Sequence, residues 1–193
     1  MQSLGIDPVT GDEILLKRNG EMTGSANWSP VDLVPIGNTE PLWRGNIHSS
    51  FTYMGLGLDV SLRYQFGGQV YNQTLLDKVE NANLMYNADR RVTELRWQKV
   101  GDKAQFKALI PYGSETKATS RFIMDENVLQ GSSLSLYYRM DRNNSKWLSS
   151  VGLSNAKVAF NVEDFFYLST VQRERGLSYP FSRRFILSLN LGF

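Results

Sequence analysis

Along the end of the chain hydrophobic residues fall on every second position. Phe185, Leu187, Leu189, Leu191 and Phe193 share one parity, while Arg184, Ser188, Asn190 and Gly192 fill most of the other. Alternate side chains of a strand point to opposite faces, so this spacing predicts a closing strand with one apolar and one polar face. The same period appears earlier. Trp43, Ile47, Phe51 and Tyr53 share a face with Gly45 and Ser49, a tight turn follows at Met54-Gly55, and Leu56, Leu58, Val60, Leu62, Tyr64 and Phe66 then alternate with polar residues and glycines. This predicts a hairpin of two long strands. Two more strands are predicted around Leu134, Leu136, Tyr138 and Met140, and around Ala156, Val158, Phe160 and Val162. The expectation is an all-β chain with five long amphipathic strands.

The intervening segments are polar and rich in turns. Residues 1–42 carry Gly5-Ile6-Asp7-Pro8, Thr10-Gly11-Asp12 and Arg18-Asn19-Gly20, and predict an exposed hairpin followed by a loop. Asp7, Thr10 and Asp12 lack the ligand series of a calcium loop and read as a plain turn. A long insertion at about 71–119 predicts short helices, one holding Leu75, Leu76 and Val79 and another capped by Asp89. A link over 141–152 predicts a turn of helix at Trp147 and Leu148, and a second insertion covers about 165–180.

The predicted strands of the hairpin reach the ~9–11 residues that a tilted strand needs to cross a bilayer, and aromatics gather near their ends. In a transmembrane barrel the apolar face meets the lipid bilayer. There Phe185, Leu187, Leu189, Leu191 and Phe193 are the candidate assembly signal, read by the outer-membrane barrel assembly machinery. Short turns then lie on the periplasmic side and the two insertions outside. Five strands do not close a barrel, so the expected object is part of a larger one. The alternative is a soluble β-sandwich that binds carbohydrate, for which 12% aromatic content and regular turn spacing speak.

Charge and chemistry narrow the function further. A net charge of +2 with both signs interspersed gives no nucleic-acid footprint. There is no cysteine, and His48 is the single histidine, so thiol chemistry is excluded and a zinc site is not expected. Asp12-Glu13 and Glu163-Asp164 are neighbours in sequence and would point to opposite strand faces, unable to act together as acid and base. No phosphate-binding glycine loop or nucleophile elbow is present. The chain is expected not to be an enzyme and to need no cofactor. Tyr71, Tyr86, Trp97, Tyr112 and Tyr179 lie in the predicted loops, either to stack on substrate and seat a partner or to pack the loops internally.

Several stretches together resemble the carboxyl-terminal part of the SusC/RagA-type TonB-dependent outer-membrane transporters. They are Gly5-Ile6-Asp7-Pro8 with Thr10-Gly11, Gly67-Gly68-Gln69-Val70-Tyr71-Asn72, Asp89-Arg90-Arg91-Val92 with Arg96-Trp97, Ala118-Thr119-Ser120-Arg121-Phe122, Ser132-Ser133-Leu134-Ser135-Leu136, and Arg173-Glu174-Arg175-Gly176 leading to Ser178-Tyr179-Pro180-Phe181. The resemblance implies a barrel of roughly 22 strands around an amino-terminal plug. It also implies import of glycans, oligosaccharides or peptides, driven by the TonB complex and assisted by a SusD-like surface lipoprotein. The plug, the TonB-contacting region and the earlier strands are not in this sequence, and Met1 to Ile6 do not read as a signal peptide. The expectation is a carboxyl-terminal fragment. Gly131 replaces the apolar residue that the family tends to have and is expected to weaken or kink its strand.

Overall fold

The computed structural model describes residues 1–109, 115–141, 145–172 and 183–193, which fall into two compact units. The first comprises Met1–Thr39 and Gln69–Met124; the second comprises Glu40–Gly68 and Asp125–Phe193. No described helix is long and apolar enough to cross a membrane, which leaves strands as the elements to consider.

In the first unit, β1 (Gln2–Ile6), β2 (Glu13–Leu16) and β3 (Met22–Gly24) form an antiparallel three-stranded sheet in sequence order. This corrects the expectation of an exposed hairpin over residues 1–42. β2 is central, and its Glu13 and Leu15 are buried. The partners that bury Glu13, Thr119 and Arg121, lie about a hundred residues away in sequence. The turn joining β1 to β2 is closed as expected: Asp7 accepts hydrogen bonds from the Val9 amide (2.9 Å) and the Thr10 hydroxyl (2.8 Å).

The expected helices of the 71–119 insertion are present and short. Asn72 caps the first by accepting from the Leu75 amide at 2.9 Å, and the turn Gln73–Leu75 continues as a π-turn over Leu76–Glu80. A second turn covers Arg91–Glu94. Such pieces are too short to be stable alone. Their apolar residues instead make one core of Leu75, Leu76, Val79, Val92, Phe106 and Phe122.

Two arginines hold this unit together. Arg121 grips Glu13 through Nε (3.1 Å) and Nη2 (3.0 Å), and Nη2 also reaches Glu80 at 2.7 Å. Nη1 donates to the Gln105 carbonyl at 2.5 Å, and the guanidinium lies 4.6 Å from the centre of the Phe122 ring. Thr119 donates to Glu13 (2.8 Å) and Thr116 to Glu80 (3.0 Å), so both carboxylates, buried as they are, have several donors. Arg96 is also buried and donates to the backbone carbonyls of Val79, Glu80, Val92 and Lys107. Two carboxylates and two guanidiniums balance in charge. Burial works against the charge of Arg121, but the hydrogen bonds it donates to Glu13 and Glu80 outweigh it and raise its pKa; burial lowers that of Arg96.

The second unit is built on the five-stranded antiparallel sheet β4-β5-β6-β7-β8, with β4 and β8 at its edges. The strands are β4 (Trp43–Tyr53), β5 (Leu56–Tyr71), β6 (Ile123–Asp141), β7 (Asn155–Ser169) and β8 (Arg184–Gly192). All five expected strands are found, but β6 starts well before Leu134 and β7 runs past Phe165, where the second insertion was expected to begin. The polar run Asp125-Glu126-Asn127 and the glycine at 131 hid the first extension. The second was hidden by a register shift between Gly131 and Ser133, where β7 carries one extra residue and Asp164 adopts φ 51°. The expected irregularity at Gly131 is therefore a bulge in its partner strand. The 141–152 link contains the helical turn Trp147–Ser150, with Leu148 buried against Leu153 and Ala156.

Replacing Arg121 with Met would leave two buried carboxylates without their shared counter-ion, at a cost of about 3–5 kcal/mol. The amides of Asn72, Leu76 and Thr116 should then exchange hydrogen much faster in the intact protein. Unchanged protection would mean that the apolar core alone holds the unit.

Candidate lipid-facing surface and loop aromatics

Register aligns the apolar parity of neighbouring strands. Trp43 lies opposite Phe66, Ile47 opposite Leu62, Phe51 opposite Leu58 and Tyr53 opposite Leu56. On the other side of the sheet Leu136, Phe160 and Leu187 form one row, and Tyr138, Val158 and Leu189 form the next. The Arg139 amide donates to the Gly55 carbonyl at 2.7 Å and joins the two groups of strands. These side chains are exposed: Leu187 keeps 75% of its surface, Phe185 and Leu189 63% each, and Phe193 91%. A sandwich would have to cover them, and among the described residues nothing does. From Trp43 to Tyr53 on β4 and from Phe185 to Leu191 on β8, this parity contains no charged residue.

The opposite parity is polar and bonded to itself. His48 Nδ1 lies 2.9 Å from the Ser61 hydroxyl, and Ser50 donates to Asp59 at 2.5 Å. Arg184 pairs with Glu163 at 3.0 Å, and Lys157 sits 4.2 Å from the centre of the Tyr137 ring. Gly57 lies beneath Tyr137, where an added Cβ would stand 2.1 Å from the ring. His48 is thus a hydrogen-bonding group of a polar wall, and among the described residues no group of three or more carboxylates and histidines could hold a metal ion.

The candidate substrate-contacting aromatics do not converge. The Tyr71 ring packs edge-on against Phe122 at 6.2 Å, as part of the apolar core. Trp97 covers Gly11, whose missing Cβ would lie 2.5 Å from the indole, and its Nε1 donates to the Pro8 carbonyl at 3.0 Å. Tyr86 is exposed beside Leu84 and Met85 on a turn that Asn83 closes by accepting from the Met85 amide. Tyr112 and Tyr179 lie outside the described residues, as does the Arg173-Glu174-Arg175 run. Sequence reasoning passed over Glu13, Glu80, Arg96 and Arg121. The signal available was that Arg96 and Arg121 stand inside the short stretches that carry the family resemblance. Asp89-Arg90-Arg91 is a local device of the same kind: the Arg91 side chain and amide bond Asp89 and hold its carboxyl down to about 2. That contribution is present above the ordinary aspartate range and fades only as pH falls towards 2.

With a sheet apolar on one side and polar on the other, the comparison with solved structures becomes specific. The whole chain superposes on a RagAB peptide transporter with a TM-score of 0.74 at 17% identity. The fold is shared with RagAB. Superposition on RagAB peptide importer structures in the "closed-closed" and "open-open" states gives TM-scores of 0.63 and 0.65, also at 17% identity over all of this chain. In each case the chain spans 22% of the length of the matched RagAB chain. No family model and no curated protein matches the sequence.

Gly11 has φ 71° and no room for a methyl group beneath Trp97. Gly11→Ala should therefore cost about 1–3 kcal/mol locally. The amides of Ala108 and Gly101, which donate to the Gly11 and Pro8 carbonyls at 2.8 Å each, report it by faster hydrogen exchange. No change there would show that Trp97 moves aside freely.

Proposed function

We propose that the chain forms part of the wall of an outer-membrane barrel that imports nutrients, of the SusC/RagA TonB-dependent type, and that it performs no catalysis itself. The observation that carries this reading is the charge-free apolar face running across all five strands, backed by a polar face that is hydrogen-bonded to itself. In a bilayer every backbone polar group must be paired, and a closed sheet with lipid outside and polar groups inside meets that demand. The likeness to RagAB supports the same reading and favours peptides within the wider class of glycans, oligosaccharides and peptides. The working assembly then includes a surface lipoprotein of the SusD kind, the TonB complex acting through regions beyond this sequence, and strands that complete the sheet beyond the edges β4 and β8. Phe185, Leu187, Leu189, Leu191 and Phe193 serve as the signal for the barrel assembly machinery, a reading supported by their exposure in one row along the edge strand β8.

Leu189→Arg places a cation on the apolar face and should destabilise the inserted protein by about 2–4 kcal/mol if the site lies near the bilayer midplane. Ser188→Arg places the same charge on the polar face and should insert nearly as well as the parent. The readout is the amount of heat-modifiable, folded protein in isolated outer membranes. Equal losses for the two variants would refute the lipid-facing assignment.

A further inference from the structure

Three strands of the sheet are longer than a bilayer crossing requires. β5, β6 and β7 contain 16, 19 and 15 residues, against ~9–11 for a tilted crossing, so part of each must lie beyond the hydrocarbon. The shorter edge strands β4 and β8, with 11 and 9 residues, match the crossing length. A physical marker is needed for where the lipid ends along the long strands.

The bulge in β7 supplies one. Ala156, Val158, Phe160 and Val162 lie on the charge-free face, and uninterrupted alternation would carry Phe166 and Leu168 onto it as well. The extra residue at Asp164 turns them over. Phe166 pairs with Gly131, Tyr167 with Gln130 and Leu168 with Leu129, whereas Glu163 pairs with Ser133. The rings of Phe165 and Phe166 both close over Gly131, where an added Cβ would stand 2.6 Å from Phe165 and 2.7 Å from Phe166. The outer face beyond the bulge therefore carries Tyr167 and Gln130 instead of two large hydrophobics. β8 ends at the same level, with Arg184 opposite Glu163.

β5 breaks nearby in its own way. Gly67 adopts φ 76°, directly after Phe66, the last aromatic of the apolar row. Its amide donates to the Asn127 side chain at 2.9 Å instead of to a ladder carbonyl. The Asn127 amide in turn donates to the Thr170 hydroxyl at 2.9 Å, and the Thr170 amide donates to the Asn127 carbonyl at 3.1 Å. Past the regular pairs from Gly131–Phe166 to Val128–Ser169, bonds that use the Asn127 and Thr170 side chains thus stand in for ladder bonds at Gly67 and Asn127. Replacing ladder bonds by exposed side-chain bonds is tolerable in water or headgroups and costly in hydrocarbon.

We propose that the bulge at Asp164, with the break at Gly67, sets the boundary of the lipid hydrocarbon on this face: the acyl chains cover the sheet from the Tyr53–Leu56 end up to Phe66 and Val162, and Tyr167 and Gln130 stand in the aqueous interface. This rests on the lipid-facing reading above and adds its limit. The occupant is a bilayer because the covered band holds no charge on any strand and has a crossing's length, while ionisable residues resume at Asp125, Glu126 and Asp164 next to the break.

The 193 residues contain no cysteine, so single cysteines placed here carry a nitroxide, with any cysteine elsewhere in the protein replaced by serine. Labels at Phe160, Leu187 and Tyr167 in the full-length protein, reconstituted in phosphatidylcholine vesicles, are compared for collision with oxygen, which favours lipid, and with a water-soluble nickel chelate. The expected result is oxygen-dominated collision at Phe160 and Leu187 and a reversal to nickel-dominated collision at Tyr167. If Tyr167 is as oxygen-dominated as Phe160, the boundary is overturned while the lipid face stands. Nickel-dominated collision at Phe160 and Leu187 would overturn the lipid-facing reading as well as the boundary.

Discussion

A β-sheet satisfies its backbone only through its neighbours, and this chain's larger sheet combines that requirement with a face that carries no charge. Every strand from β4 to β8 contributes the same parity to that face, so no single residue defines it. Apolar surface on this scale is not left to water by a monomeric soluble protein. In the lipid-facing reading proposed above, hydrocarbon is the medium that removes the penalty, and it also forbids unpaired backbone; the β4–β5 and β7–β8 registers run unbroken through the charge-free band, and the shift in β6–β7 falls at its end. Side-chain chemistry follows from this division. On the polar parity, Arg184–Glu163, Ser50–Asp59 and His48–Ser61 satisfy one another across strands.

The first unit solves the opposite problem. Its helical pieces and its small sheet are each too short to stand alone, and they come from segments far apart in sequence. One guanidinium, that of Arg121, joins β2 to the π-turn through Glu13 and Glu80, and Arg96 ties four carbonyls of three segments. A buried ion cluster adds little net stability compared with a well-packed apolar substitute, but it accepts few alternative arrangements. Here it fixes which loops meet. The Trp97 indole on Gly11 and Pro8 adds a contact of the same kind, with a glycine needed for both its backbone angle and its lack of a side chain.

The sequence by itself determined the five strands, the face that each presents, the hairpin at Met54-Gly55 and the local helices, because periodicity and turn chemistry are short-range signals. The short stretches that carry its resemblance to SusC/RagA-type transporters are structural here: Asp7 closes its turn, Asp89 holds Arg91, and Arg121 reaches two glutamates. Only the tertiary structure decided that Glu13 is buried and that Tyr71 and Trp97 are packing groups, since each depends on a partner 51 to 108 positions away. It also decided that residues 1–24 make a three-stranded sheet, because strands of three to five residues are too short to show a period. The ends of β6 and β7 were hidden for a related reason. One extra residue at Asp164 inverts the parity that a reader of the sequence relies on, and a bulge becomes visible only when the partner strand is laid beside it.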